Sequence, residues 1–582
     1  MISPVSRLNY ANFAFLYFGW ILFSAGFGRE GQTIQVTRPN LRGGSTRFEG
    51  PAASFDLARG AAMFVHSRSP LVASNRSIHI HAGSGPHVGS RPCPVIKKSP
   101  FLLLLFAIFP MLLANVLAAE PLLLSDHRRV GETTRIKMTL DVSGQMIPES
   151  TADDRSSADK EPPANAAANA AANANAAIDM TVKAQIAYSE KWLAAENPQR
   201  PLAAVRHYDL AQAQLAVGSQ SVETDLGEEN RLVAVDMSGE GLGIYSLNGH
   251  LSRWELELID TPAKSMTIYG LLPERPVNRG DRWTPRDTAL AQFLNVDGIT
   301  LNECDCGLVD VKNRVAIIEI SGSIVASVAG VATEIDVDGN YRYDLAWKRV
   351  NWCELHLTET RAGGLIHPAF KATSAVRVLI SPLAASDPAT ARLSGVNLAG
   401  AVGPEQSLRF AGRGHGYTFL HDRRWHVSDD RTKSTTLRFV EDNDLVAQCH
   451  VAHLQPLPAG KRLGLEEYQA EIKQSLEQRF GQFESARQDE RKDGYRILRV
   501  STLGSVDDIS VRWIYYHISA PDGQRAAYVF SSEVAKSDVL AESDRLLADS
   551  FQFTEKEPGV DSEPTVSKVS RGAGPSATSD SR

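Results

Sequence analysis

An α+β chain of two folded parts is what this sequence predicts: a large, mostly antiparallel β domain over residues 120–385, then a smaller domain of strands and helices over 413–554. Three observations carry it. Apolar and polar residues alternate with period two in most segments between 134 and 380, with few helical stretches between. The pattern lapses over 381–412, where Pro, Ser, Ala and Gly gather. Beyond it come strands, a helix, more strands and a closing helix, an order that fits α+β construction. At 582 residues the chain is too long for one core, and 43% hydrophobic with 22% charged residues is ordinary for folded protein.

Residues 95–119 read as a secretory signal peptide. Lys97 and Lys98 form its positive start, residues 101–113 its apolar run, and Ala118 or Ala119 the small residue at the cleavage position. Translation is therefore expected to begin near Val95, with residues 1–94 an extension foreign to the natural protein. The rival is a genuine anchor in the apolar stretch 11–28, which is short beside the roughly 20 residues a spanning helix needs. The expected location is periplasmic or extracellular, with membrane contact only through an uncleaved N-terminal segment. Residues 1–119 hold 11 of the 61 basic residues but only 3 of the 68 acidic ones, so the remainder is markedly acidic. That balance argues against nucleic acid as a partner.

In the first domain, residues 134–142 and 180–186 alternate on either side of a polar and Ala/Asn-rich insertion at 149–177. They read as neighbouring strands joined by an expanded, mobile loop. Residues 254–258 alternate as well. Asp338 and Gly339 carry a hairpin signal, since both accept the positive φ of tight turns. In the strand after them Tyr341, Tyr343, Leu345 and Trp347 share a face. Further strands are expected at 314–320, 351–359 and 373–380, with a linker at 386–412.

The second domain opens with strands at 417–420 and 425–427. A strand pair at 435–440 and 445–454 follows around residues 441–444. Leu465, Tyr468, Ile472, Leu476 and Phe480 recur at helical spacing. Strands return at 495–500, 510–518 and 526–531, and a helix over 534–549 turns Val539, Leu540, Leu546 and Leu547 inward. The tail, 555–582, is expected to be disordered. If Trp513 and Tyr515 face the core, Tyr516 and Ile514 face outward as an apolar strip suited to a partner. The two domains are expected to be separable.

Two resemblances follow from particular residues. The strand at Tyr417 and Phe419 leading to Trp425, the helix of Leu465 and Tyr468, and the strand of Tyr528 and Phe530 before Ser550 and Phe551 resemble the PsbP-like α/β sandwich family. That resemblance implies assembly and binding roles. Residues 272–277 running into Gly280, Asp281, Arg282 and Trp283 are similar to an uncharacterised family of exported bacterial β proteins. This implies export and a β architecture but no activity. An open half-barrel, as in periplasmic lipoprotein carriers, is one shape that would suit it, by analogy alone.

Sites of chemistry are few. Cys304 and Cys306 stand closer than zinc ligands usually do. In an oxidising compartment a disulfide from Cys304 or Cys306 to Cys353 is the favoured expectation, with free buried thiols the alternative. His415, His421, His426, His450 and His453 invite a metal reading, but His450 and His453 sit at an odd separation in a strand and point to opposite faces. Asp336, Asp338 and Asn340 match the start of a calcium loop, yet Trp347 occupies the place of its terminal Glu. Gly239, Gly241 and Gly243 lack the spacing of a dinucleotide site. No cofactor or metal is therefore expected. The function expected is that of an exported, non-catalytic binding or assembly protein of the bacterial envelope, its partner a protein or an apolar small molecule. The alternatives are an extracytoplasmic hydrolase with an unrecognised site and a structural envelope component.

Overall fold

Alternation in sequence becomes alternation in burial along the first strand, β1 (Thr133–Ile147). Ile136, Met138, Leu140 and Val142 are buried, while Lys137, Thr139, Asp141 and Ser143 between them face solvent. The computed structural model describes residues 120–147, 177–197, 200–237, 243–396, 398, 406–411, 416–431, 434–458 and 461–554. The expected signal peptide, the extension before it, the insertion up to residue 176, His415 and the tail lie outside these residues.

Twelve further strands extend the first sheet. They are β2 (Ile178–Asn197), β3 (Arg200–Val217), β4 (Gln220–Asp225), β5 (Leu232–Asp236), β6 (Gly243–Ser246) and β7 (Arg282–Trp283). Then follow β8 (Gly298–Asn302), β9 (Asp305–Lys312), β10 (Val315–Val328), β11 (Val331–Asp344), β12 (Arg349–Arg361) and β13 (Ala369–Pro382). The order β6-β5-β3-β2-β1-β13-β12-β11-β10-β9-β7 is antiparallel at each step, with β4 beside β3 and β8 beside β10. Met146 lies opposite Ile178, so the 149–177 insertion does interrupt a hairpin of neighbouring strands. One core covers a face of this sheet. Helices α1 (Arg253–Ile259) and α2 (Asp287–Leu294) supply Leu256, Leu258, Leu290 and Phe293 to it.

Two expectations fail here. Residues 254–258 form helix, not strand, because Ser252 and Glu255 close a capping box that satisfies the first-turn amides. Asp338 and Gly339 lie inside the unbroken strand β11, opposite Ser321 and Ile320. A Cβ on Gly339 would come 2.3 Å from the Glu354 carbonyl, so this glycine serves close strand approach rather than a turn.

The second domain holds β14 (Leu408–Ala411), β15 (Tyr417–His421), β16 (Trp425–Arg431), β17 (Ser434–Glu441), β18 (Asp444–Leu454) and β19 (Phe480–Glu490). It continues with β20 (Arg496–Val506), β21 (Ile509–Ser519), β22 (Arg525–Glu533) and β23 (Gln552–Phe553). A seven-stranded sheet runs β16-β17-β18-β22-β21-β20-β19, and β14-β15-β23 form a small second sheet. Within the expected linker the chain forms helix α3 (Pro388–Arg392) and then β14, which pairs with β15. Leu408 joins the first core and Phe410 the second, so this stretch ties the domains together.

Both faces of the seven-stranded sheet are covered. On one, Leu437, Cys449, Phe530, Ile514 and Tyr516 pack with Tyr417, Phe419 and Phe551. On the other, Trp513, Tyr515 and Val529 pack under Tyr468, Ile472 and Leu476 of α4 (Leu465–Leu476). The expected closing helix breaks into α5 (Ser537–Leu540) and α6 (Ser543–Asp549), with Ala541 at φ 46° between them. Leu540 and Leu547 are buried as expected, but Val539 is exposed.

The domains meet through reciprocal arginines. Arg253 of the first donates to the Arg423 and Trp425 carbonyls of the second, the latter at 3.1 Å, and Arg423 donates back to the Ile244 carbonyl. The Arg409 amide reaches the Leu251 carbonyl at 2.9 Å, and the Leu365 amide reaches Asn443 Oδ1 at 2.8 Å. Gly330 (φ +72°) lies so near that a Cβ there would stand 2.3 Å from the Asp442 carbonyl carbon. Such contacts leave the domains interlocked rather than loosely tethered.

Candidate functional site

Residues around Pro273 and Trp283 build a cleft. Pro273 and Pro276 hold residues 272–277 away from helix, and Val277 pairs with Leu122 through two backbone bonds of 2.8 and 2.9 Å. A turn follows in which Asp281 accepts from the Asn278 amide at 2.8 Å and Gly280 takes φ +92°. Trp283 then enters β7 and donates its indole N–H to the Leu271 carbonyl at 2.9 Å, a carbonyl that also accepts from Tyr341 at 3.0 Å. These anchors fix the walls of a cleft of about 530 Å³ lined by residues 123–126, 269–270, 272–275 and 283–286.

Its chemistry is mixed. Tyr269 and Trp283 present aromatic surface, and Leu123 is exposed at one lip. Arg286 pairs with Glu274 at 3.2 Å, both well exposed, and Arg275, also exposed, with the half-buried Asp281 at 3.8 Å. Exposed pairs of this kind contribute at most about 1 kcal/mol, so they can be exchanged for contacts with a partner. Ser125 Oγ lies 2.9 Å from His127 Nε2 at the same cleft. Among the described hydrogen bonds, none joins an acid to the other ring nitrogen of His127.

The thiols stay apart. Cys304, Cys306 and Cys353 are free and buried, as is Cys449. The expected bridge to Cys353 does not form because β10 and β11 stand between β9 and β12. Three strand spacings amount to roughly 14 Å, whereas a disulfide needs Cα atoms within about 7 Å. Burial pushes the Cys304 thiol up to about 11 and Cys306 up to about 12, which makes both poor nucleophiles. Among the described residues no group of three His, Cys, Asp or Glu could hold a metal. His450 bonds to Thr436 and Gln448, while His453 meets Phe553 at a tilt, and the two point apart as strand parity demands.

The proposed partner strip at Tyr516 and Ile514 is not a surface. Tyr516 is 1% and Ile514 5% exposed. The Tyr516 hydroxyl donates to Asp544 of α6 at 2.6 Å and accepts from Arg499 at 2.9 Å. A strand central to a sheet covered on both sides has no outward parity, so alternation alone misplaced these residues.

Sequence reasoning also missed a buried polar group in the first domain. Glu190 and Arg206 face each other across β2 and β3 and pair at 2.8 Å, both within 1% of full burial. Ser265 donates to both Glu190 oxygens at 2.9 and 2.8 Å, and Tyr188 lies against Ser265 at 3.1 Å. Glu190 and Arg206 at inward parity, on mostly apolar inward faces, were the available signal. A sealed network of this kind orders the core rather than meeting a ligand.

No known family's profile matches the chain, and no curated protein does. Among solved structures, the cyanobacterial PsbP protein of Synechocystis matches 28% of this chain and 98% of its own length, at 16% identity and a TM-score of 0.22. The Saccharomyces cerevisiae Ran-binding protein Mog1p matches 25% and 95%, at 10% identity and a TM-score of 0.21. The translocator domain of the Neisseria meningitidis autotransporter NalP matches 70% and 90%, at 8% identity and a TM-score of 0.11. Among the described residues no helix is long and apolar enough to cross a membrane.

Proposed function

We propose that this chain is an exported, non-catalytic binding or assembly protein of the bacterial envelope, and that it engages a protein segment at the cleft between residues 123–126, 269–270, 272–275 and 283–286. The carrying observation is the composition of that cleft: aromatic walls, an exposed leucine lip and a rim of weak, exchangeable ion pairs. Such a surface suits an extended polypeptide better than an apolar small molecule. Export rests on the basic start, apolar run and small residues of 95–119. With this reading go a half-barrel form for the first domain and a PsbP-like sandwich for the second.

The test is capture from a bacterial envelope fraction on immobilised protein. Arg275→Glu with Arg286→Glu should abolish the specific captured species, while Lys371→Glu on β13 should not. Capture unchanged by the double variant would sink the proposal. The Ser125 and His127 contact supports a second reading, a hydrolase. Turnover of a p-nitrophenyl ester that disappears in Ser125→Ala would favour it.

A further inference from the structure

Charged and titratable side chains gather where the two domains meet. Helix α1 brings Arg253 and Glu257, and its C-cap Asp260. The end of β12 and the loop after it bring Arg361 and His367. From the second domain come His421, Asp422, Arg423 and His426, with Arg438 directly opposite His426 across β16 and β17. Trp425 points into the second core, so its neighbour His426 is turned to the opposite face of β16, toward the first domain. Arg438 donates to the Leu365 carbonyl, two residues from His367. Arg253 and Arg423 bond to backbone carbonyls across the junction, which satisfy their donors without neutralising their charge.

We infer that this junction is an acid-triggered hinge, closed near neutral pH and opened when His367, His421 and His426 take up protons facing Arg253. Burial first, and the Arg253 guanidinium next or close behind, hold all three imidazoles neutral. His367 is pushed down to about 3, His421 to about 4, and His426 well below its ordinary value. Once the domains part, each ring returns toward about 6.5. Groups lowered in the closed state favour opening as pH falls below 6.5, and the effect grows until their closed-state values are reached. From pH 7 to 5 each imidazole raises the opening constant about 25-fold, or roughly 10⁴-fold for three acting independently.

Glu257 opposes them. Burial holds its carboxyl up at about 8, so the closed state gains relative stability as pH falls, by about 70-fold over the same interval. Asp422 accepts from Arg424 and stays ionised, contributing no comparable change in this range. The net expectation is an opening constant about 200-fold larger at pH 5 than at pH 7.

The experiment is amide hydrogen exchange on the full chain, corrected for intrinsic rates. The Leu365 and Arg409 amides, which bond across the junction, should lose about 200-fold in protection from pH 7 to pH 5, while β21 amides hold theirs. Replacing His367, His421 and His426 together by Gln should abolish that loss. Should the triple variant fail to fold, Glu257→Gln in the native background serves instead, steepening the loss toward 10⁴-fold. Equal acid sensitivity in wild type and the folded triple variant, an unchanged slope in Glu257→Gln, or parallel loss in β21 would each overturn the inference.

Discussion

Tyr516 sits where strand alternation placed a solvent-facing residue, and its replacement measures how far both-sided burial governs the second domain. Tyr516→Phe removes only the hydroxyl that bridges Asp544 and Arg499, and Arg499 still reaches the Asp544 carboxylate at 3.0 Å. Losing the hydroxyl's two bonds, while the Arg499–Asp544 pair stays, should cost about 1–3 kcal/mol. Tyr516→Ser also removes a ring that meets Phe530 edge-on at 5.8 Å. Emptying a buried aromatic site costs about 3–5 kcal/mol, so the serine variant should lose about 5 kcal/mol in all. For a cooperative unit of this size the melting temperature should fall by roughly 10–20 °C for serine and by a few degrees for phenylalanine. Differential scanning calorimetry of the intact protein reads both. A serine variant within 1 kcal/mol of wild type would show that Tyr516 is not enclosed and would refute the two-cover arrangement.

Two further outcomes are expected. Replacing residues 149–176 by a short turn should leave the melting temperature within about 1 °C, because Met146 and Ile178 already face each other at the hairpin's end; a loss of several degrees would give the insertion a structural role. Thiol alkylation at pH 8 should leave Cys304, Cys306, Cys353 and Cys449 unmodified in folded protein and modify all four after denaturation, since burial raises each thiol. A disulfide recovered by non-reducing peptide mapping would contradict the free thiols.

What the sequence by itself determined is local and periodic. Alternation in β1 was enough to say which side chains face inward, because a strand with one dry face must repeat every two residues, whereas β11 was read as two strands and ends at Asp344, short of Leu345 and Trp347. Helix α4 was equally legible from Leu465, Tyr468, Ile472 and Leu476, though Phe480 begins β19 instead of extending it. The errors came where a local pattern served two structures. Residues 254–258 alternate, but the capping box at Ser252 and Glu255 turned them into helix. Asp338 and Gly339 resemble a turn pair, and only contact with β12 shows that glycine is needed for close approach. Tertiary structure alone decided the rest. Which strands separate Cys306 from Cys353, what covers Tyr516, and how Arg253 and Arg423 lock the domains all depend on contacts far apart in the chain, and periodicity carries no information about distant partners.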